Sequence, residues 1–174
     1  MSASYAPSLH LSIALGCRKW YTIRMSKLTF CGGAKAVTGA NYLLETERTK
    51  ILIDCGLAQG NKFSEDQNFE PFPYNPEEIE AVFVTHAHID HTGRIPSLYK
   101  QGFRGTIYST PPTKDFAEQL LIDSEDLLRR EAQEQGKAPL YDTNDVTAVL
   151  QNWKKVGYHE QIKVNDFLIE FFDA

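Results

Sequence analysis

Apolar and polar residues alternate in short runs over the first half of the chain and regroup at helical spacing over the second. Leu28 to Cys31, Tyr42 to Glu45 and Ile51 to Ile53 read as brief strands, with Gly32, Gly33 and Gly39 punctuating the turns. Three such runs in close succession predict a β-meander. Asn75-Pro76-Glu77-Glu78 supplies a capping residue, a proline at the first helical position and a glutamate at the third, so a short helical turn should precede the next strand, Ala81 to Thr85. Arg94 to Tyr99 suggests a short helix ended by Gly102, followed by a strand at Thr106 to Tyr108. Strand, helix, strand in this order implies parallel pairing.

Longer periods follow. From Thr113 to about Gln135, the residues Phe116, Leu120, Leu121, Leu127 and Leu128 recur at helical spacing and predict the longest helix, with one buried face, broken by Gly136 and Pro139. A second helix is expected from Asp142-Thr143 through Val146, Val149 and Leu150 to Trp153. Ile162 to Val164 and Phe167 to Phe172 read as paired strands across an Asn165-Asp166 turn.

At 174 residues and 42% hydrophobic, the chain is long enough for one domain, or part of one, with a sizeable core. No run approaches the roughly 18 to 20 apolar residues that a membrane-spanning helix requires, so a membrane role is not expected. A formal net charge of −5 argues against a broadly basic surface; nucleic-acid binding would need a local groove, a bound metal or a region outside this sequence. Cys17, Cys31 and Cys55 are odd in number and lack C-x-x-C spacing, which fits neither a disulfide framework nor a cysteine zinc knuckle and makes a reducing cytoplasm the expected home. The first 24 residues lack the basic lead of a secretory signal, and Ala14-Leu15-Gly16 is a poor lead into Cys17. Met25, directly ahead of the Leu28-Thr29-Phe30 strand, would serve as initiator. Residues 1–24 are therefore expected to be a dispensable extension without structure of its own, or a misassigned start, ahead of a domain over 25–174.

The chemistry concentrates in Thr85-His86-Ala87-His88-Ile89-Asp90-His91, which follows an apolar strand and packs four metal-capable side chains into six positions. In extended chain, residues two apart project to one side, so His86 and His88 can share one metal ion. Asp90 and His91, in the turn beyond, can face a second ion beside the first. Mixed imidazole and carboxylate donors favour zinc, with manganese or iron as alternatives. Three histidines and an aspartate at the end of a strand are poorly explained as a merely solvated strand end. Asp54 closes the Ile51-Leu52-Ile53 strand, where it is either an ordinary turn residue before Gly56 or a carboxylate that orients a metal-bound histidine.

This H-x-H-x-D-H pattern, with Asp54-Cys55-Gly56 upstream, resembles the metallo-β-lactamase superfamily, an α/β fold built as an αββα sandwich. Ala36-Val37-Thr38-Gly39-Ala40-Asn41-Tyr42-Leu43-Leu44, Asp54-Cys55-Gly56-Leu57-Ala58-Gln59-Gly60 and Asp90-His91-Thr92-Gly93-Arg94-Ile95-Pro96-Ser97-Leu98 are similar to its β-CASP branch of RNA-processing nucleases, closest to the prokaryotic type, over roughly Lys27 to Ala174. The resemblance implies RNA phosphodiester hydrolysis, with His86 and His88 as ligands of one zinc, Asp90 and His91 as ligands of the other, Asp90 also holding the nucleophile as the catalytic residue, and Asp54 in support.

The family expects more than this sequence carries: a third histidine in a Gly-His segment, a bridging aspartate, a cap with a catalytic histidine, and a final histidine ligand. His159, in Gly157-Tyr158-His159-Glu160, is the only candidate substitute; it reads as a surface-loop histidine and, like His10, receives no role. The resemblance thus implies only the N-terminal half of the sandwich, weak metal binding and little or no nuclease activity from these residues. An inner sheet face without cover would favour self-association. Two other readings stay open. One is a glyoxalase-type thioesterase or lactonase of the same fold, disfavoured by Arg94-Ile95-Pro96 and Val37-Thr38-Gly39; the other is a non-catalytic metal-binding or partner-docking module.

Overall fold

The computed structural model describes residues 26–34, 36–60 and 66–172. The expectations for residues 1–24, His10 and Cys17 lie outside the described residues. Strands β1 (Lys27–Gly32), β2 (Asn41–Glu45) and β3 (Lys50–Cys55) form the antiparallel meander. Strands β4 (Ala81–Phe83), β5 (Thr106–Ser109) and β6 (Trp153–Lys155) continue it in parallel, giving one six-stranded sheet in sequence order. The crossovers carry α1 (Ile89–Thr92), α2 (Ile95–Lys100), the long α3 (Pro111–Glu134) and α4 (Thr143–Gln151). Strands β7 (Gln161–Val164) and β8 (Phe167–Glu170) form a separate hairpin across Asn165, whose φ is 46°.

Period-2 alternation sorts the sheet into two faces. Leu43, Leu52, Val82, Ile107 and Trp153 stand opposite one another from β2 to β6 and are all buried among Leu98, Leu121 and Val149 of the helices. The alternate residues Ile51, Ala81 and Phe83 form a second cluster, against which Ile162, Val164, Phe167, Ile169 and Phe171 of the hairpin segment pack. The expectation of a bare inner face is thereby corrected: β7 and β8 fold back over it. The physical cause is the hairpin's own alternation, which sets Ile162 and Val164 half-buried and leaves Gln161 and Lys163 exposed.

Other boundaries shift for local reasons. Asn75 accepts a hydrogen bond from Glu77 N and starts the expected turn, a 3-10 helix over Pro76–Glu78. Helix α4 opens on a capping box between Asp142 and Asp145 but stops at Gln151, so Trp153 is not its last residue: it begins β6, where its indole Nε1 donates to Ser109 Oγ at 2.8 Å. Along α3 the buried seam is Thr113, Ala117, Leu121, Glu125 and Ala132. Phe116, Leu120 and Leu127 each precede a residue of the inward-facing side, so they are rotated by roughly 100° about the axis and remain exposed.

Candidate metal centre

The parallel strands β3 and β4 end side by side, and the carboxyl ends of parallel strands are where α/β sheets collect their functional groups. Asp54, near the end of β3, holds a left-handed backbone (φ 59°) and a side chain only 2% exposed. An aspartate tolerates that conformation better than a bulky residue, and such strain persists where surrounding contacts over-determine it. Here they do. Asp54 Oδ1 accepts from Thr85 N and Oδ2 from Thr85 Oγ1, both at 2.8 Å, while His91 Nδ1 also lies 2.8 Å from Oδ2.

Hydrogen-bond balance then assigns the imidazole tautomers. His91 Nδ1 donates toward Asp54, and on a neutral imidazole that leaves the Nε2 lone pair for a ligand. Thr85 Oγ1 spends its single proton on Asp54, so at 3.0 Å it accepts from His86 Nδ1, and His86 also presents a free Nε2. One buried carboxylate therefore sets two imidazoles in the ligand-ready form. Asp90 Oδ2 lies 3.7 Å from His91 Nε2. That separation leaves the two side chains close enough that both could hold one divalent ion. The His86 ring centroid is 3.9 Å from that of His91 and 4.8 Å from that of His88.

Backbone contacts seat this cluster. Ala40 N donates to Asp90 O at 2.8 Å, Leu57 N to Ile89 O at 3.0 Å and Arg94 N to Cys55 O at 2.9 Å. Gly56 is required by close approach: a Cβ there would fall 1.6 Å from Asp90 O. Beneath, Asn41 Nδ2 donates to the Tyr74 hydroxyl at 2.9 Å and approaches Cys55 Sγ at 3.7 Å, and burial pushes the Cys55 thiol up to about 12. Burial, reinforced by the His91 and His88 imidazoles, lowers the pKa of His86 against the opposing pull of Asp54 and Asp90. His86 thus keeps its neutral form further into acid than a free imidazole.

The structure brings His86, His88, Asp90 and His91 into one neighbourhood, with Asp54 touching His91 directly. Asp90 and His91 sit in helix α1 rather than in an open turn. Among the described residues, no three donors are gathered into a ready-made coordination shell. His159 stands elsewhere, on the turn before β7, with Nδ1 3.4 Å from Glu170 Oε1. Sequence reading missed Thr85 as the hub and Gly56 as the seat. The Asp-Cys-Gly triplet signalled the second; nothing in residue spacing signals that a threonine joins two histidines to one carboxylate.

The donor chemistry, the strand-end placement and the sequence agree on a class. The metallo-β-lactamase superfamily model matches residues 35–160, and the chain belongs to that family. It is 39% identical over 154 residues to a transcription termination factor, FttA, of Methanosarcina mazei, covering 85% of this chain and 23% of that protein. It is 34% identical over 143 residues to a ribonuclease of Thermus thermophilus, covering 82% of this chain and 31% of that protein. The chain therefore spans less than a third of the length of either relative. Among solved structures, the Rm3 metallo-β-lactamase aligns with a TM-score of 0.47 at 15% identity, over 81% of this chain and 46% of that one.

Proposed function

We propose that residues 25–174 form the N-terminal part of the metallo-β-lactamase domain of a zinc-dependent ribonuclease of the β-CASP branch, acting in the cytoplasm on RNA phosphodiesters. The observation that supports this reading above all is the Asp54–Thr85 hub, which engages the Nδ1 atoms of His91 and His86 and gathers these two rings beside His88 and Asp90. The name of the Thermus thermophilus relative supports the choice of substrate.

His86 and His88 would hold one zinc, and Asp90 and His91 the other of two in a complete domain. Bound zinc supplies a water of lowered pKa and neutralises charge that develops on phosphate oxygens. The chain's own part is positional. Asp54 locks the His91 tautomer, Thr85 passes that constraint to His86, and Asp90 places its carboxylate where it can orient a nucleophile. The free cysteines Cys31 and Cys55 suit the reducing compartment.

Zinc content after equilibrium dialysis, measured by mass spectrometry, tests the ligand assignment. The wild-type chain should retain zinc, weakly, and a His86→Ala/His88→Ala double variant should retain less. Equal retention by both would overturn the assignment. A second reading is a metal-binding module without turnover, which would use the same His86, His88, Asp90 and His91 side chains. Multiple turnover of a single-stranded RNA, abolished by His88→Ala, would overturn that second reading; turnover of a thioester instead would overturn the nuclease. Self-association remains a proposal for the part of the hairpin-side face still open at β1, where Leu28 is 48% and Phe30 61% exposed.

A further inference from the structure

The joint between α1 and α2 carries a side chain that the proposed zinc chemistry does not use. Arg94 stands there, four positions after Asp90. Its backbone N–H donates to Cys55 O at 2.9 Å, while its guanidinium reaches away from the two helices to the segment before Asn75. There Nη2 donates to Glu70 O at 2.8 Å, and the guanidinium carbon lies 4.2 Å from the centre of the Phe72 ring, a cation–π contact. Phe72 stacks on Tyr74 with ring centroids 5.4 Å apart, and the Tyr74 hydroxyl accepts from Asn41 Nδ2 at 2.9 Å. Ala40, the neighbour of Asn41, donates its N–H to Asp90 O at 2.8 Å. The path therefore leaves the metal loop at Arg94 and returns to it at Asp90. The Nε of Arg94 is buried and meets no acceptor among the described residues. An unmet buried donor costs stability, so stability alone does not account for an arginine here.

We infer that Arg94 is a positioning residue: by clamping residues 70–74 against the α1–α2 joint, it fixes the backbone that carries Asp90 and His91. Its consequence for metal rests on the zinc reading, because an ion held by Asp90 and His91 would feel any slack in that backbone, but the clamp acts without metal as well. Arg104 supplies a matched comparison. Its guanidinium also lies 4.2 Å from an aromatic centroid, that of Tyr99, and donates to the carbonyls of Tyr99 and Phe103, yet these partners lie within five positions of it and outside residues 85–92.

The test starts with the full chain in zinc-free buffer and residue-resolved amide hydrogen exchange by NMR. Ala40 and Leu57, whose N–H groups bond Asp90 O and Ile89 O, should exchange at least tenfold faster in Arg94→Met, while Val84, bonded to Tyr108 O within the sheet, changes less than twofold. Arg94→Lys, which keeps a cation for the Phe72 ring, should fall between wild type and Arg94→Met. Arg104→Met should leave Ala40 and Leu57 unchanged. In zinc titration calorimetry, Arg94→Met should bind roughly tenfold more weakly than wild type and Arg104→Met equally well. Should Arg94→Met not fold, Phe72→Leu, which removes the ring but keeps an apolar side chain, carries the same expectation at about threefold. Unchanged Ala40 exchange, an acceleration shared equally by Val84, no recovery in Arg94→Lys, or equal effects of Arg94→Met and Arg104→Met would overturn the inference. A wild type that takes up no zinc, with the exchange pattern as expected, would overturn the zinc assignment alone and uphold the clamp.

Discussion

The two faces of the central sheet are built to different depths. Among the described residues, nineteen buried side chains make the helix-side cluster, whereas three buried side chains with half-buried neighbours make the hairpin-side one. Both faces arise from the same alternating strands, so the strands do not cause the difference. The covering does: among the described residues, four helices pack on one face, and a two-stranded hairpin that pairs with no other described strand lies on the other. The metal-capable loop is anchored on the thick side, through Leu57, Thr92 and Arg94, and is therefore seated by the better-packed half of the molecule.

The strongest way to break this contrast is Leu52→Ala. Leu52 is fully buried in the helix-side cluster, and its truncation should cost about 2 to 5 kcal/mol in urea unfolding. Ile169→Ala, on the hairpin, should cost only about 1 kcal/mol, because its side chain is half-buried. Equal losses would mean that the hairpin contributes as much as the helices.

Asp54→Asn falls between them in stability. It keeps a residue tolerant of the left-handed backbone but replaces one acceptor oxygen with a donor, leaving the Thr85–His91 network short of a partner at about 1 to 3 kcal/mol. Under the proposed zinc assignment, its affinity for added zinc, measured calorimetrically, should be roughly 10 to 100-fold below that of the wild type through the loosened His91. A variant with unchanged affinity would show that Asp54 seats the loop without tuning it.

Acidification should give a smaller effect. The folded pKa of His86 is depressed, so its contribution to stability is whole above the unfolded imidazole value of about 6.5 and is lost as pH falls through the folded value. The melting temperature should therefore decline below about pH 6.5, and His86→Gln should remove part of that decline. Least of all, Cys55 should resist iodoacetamide at pH 8 until denaturant is added, because its buried thiol titrates only at about 12. Mass-spectrometric mapping of alkylated Cys55 in native protein would contradict a dry helix-side core.

Local signals carried much of the fold. Strand alternation, the Asn75 cap, the Asp142 box and the Asn165 turn each act over a few residues, and each element they mark is present. The packing of His86, His88, Asp90 and His91 into six positions likewise made the candidate centre legible from the chain alone. Tertiary structure decided which of two adjacent apolar stripes on α3 is buried. It turned Trp153 from a helix end into an edge strand and brought β7 and β8 back over the sheet. It also joined Asp54 to Thr85 and His91, which lie 31 and 37 positions away. Periodicity reports that a side chain is apolar or can bind a metal; which partner it meets depends on contacts between elements remote in sequence, and these exist only once the sheet has assembled.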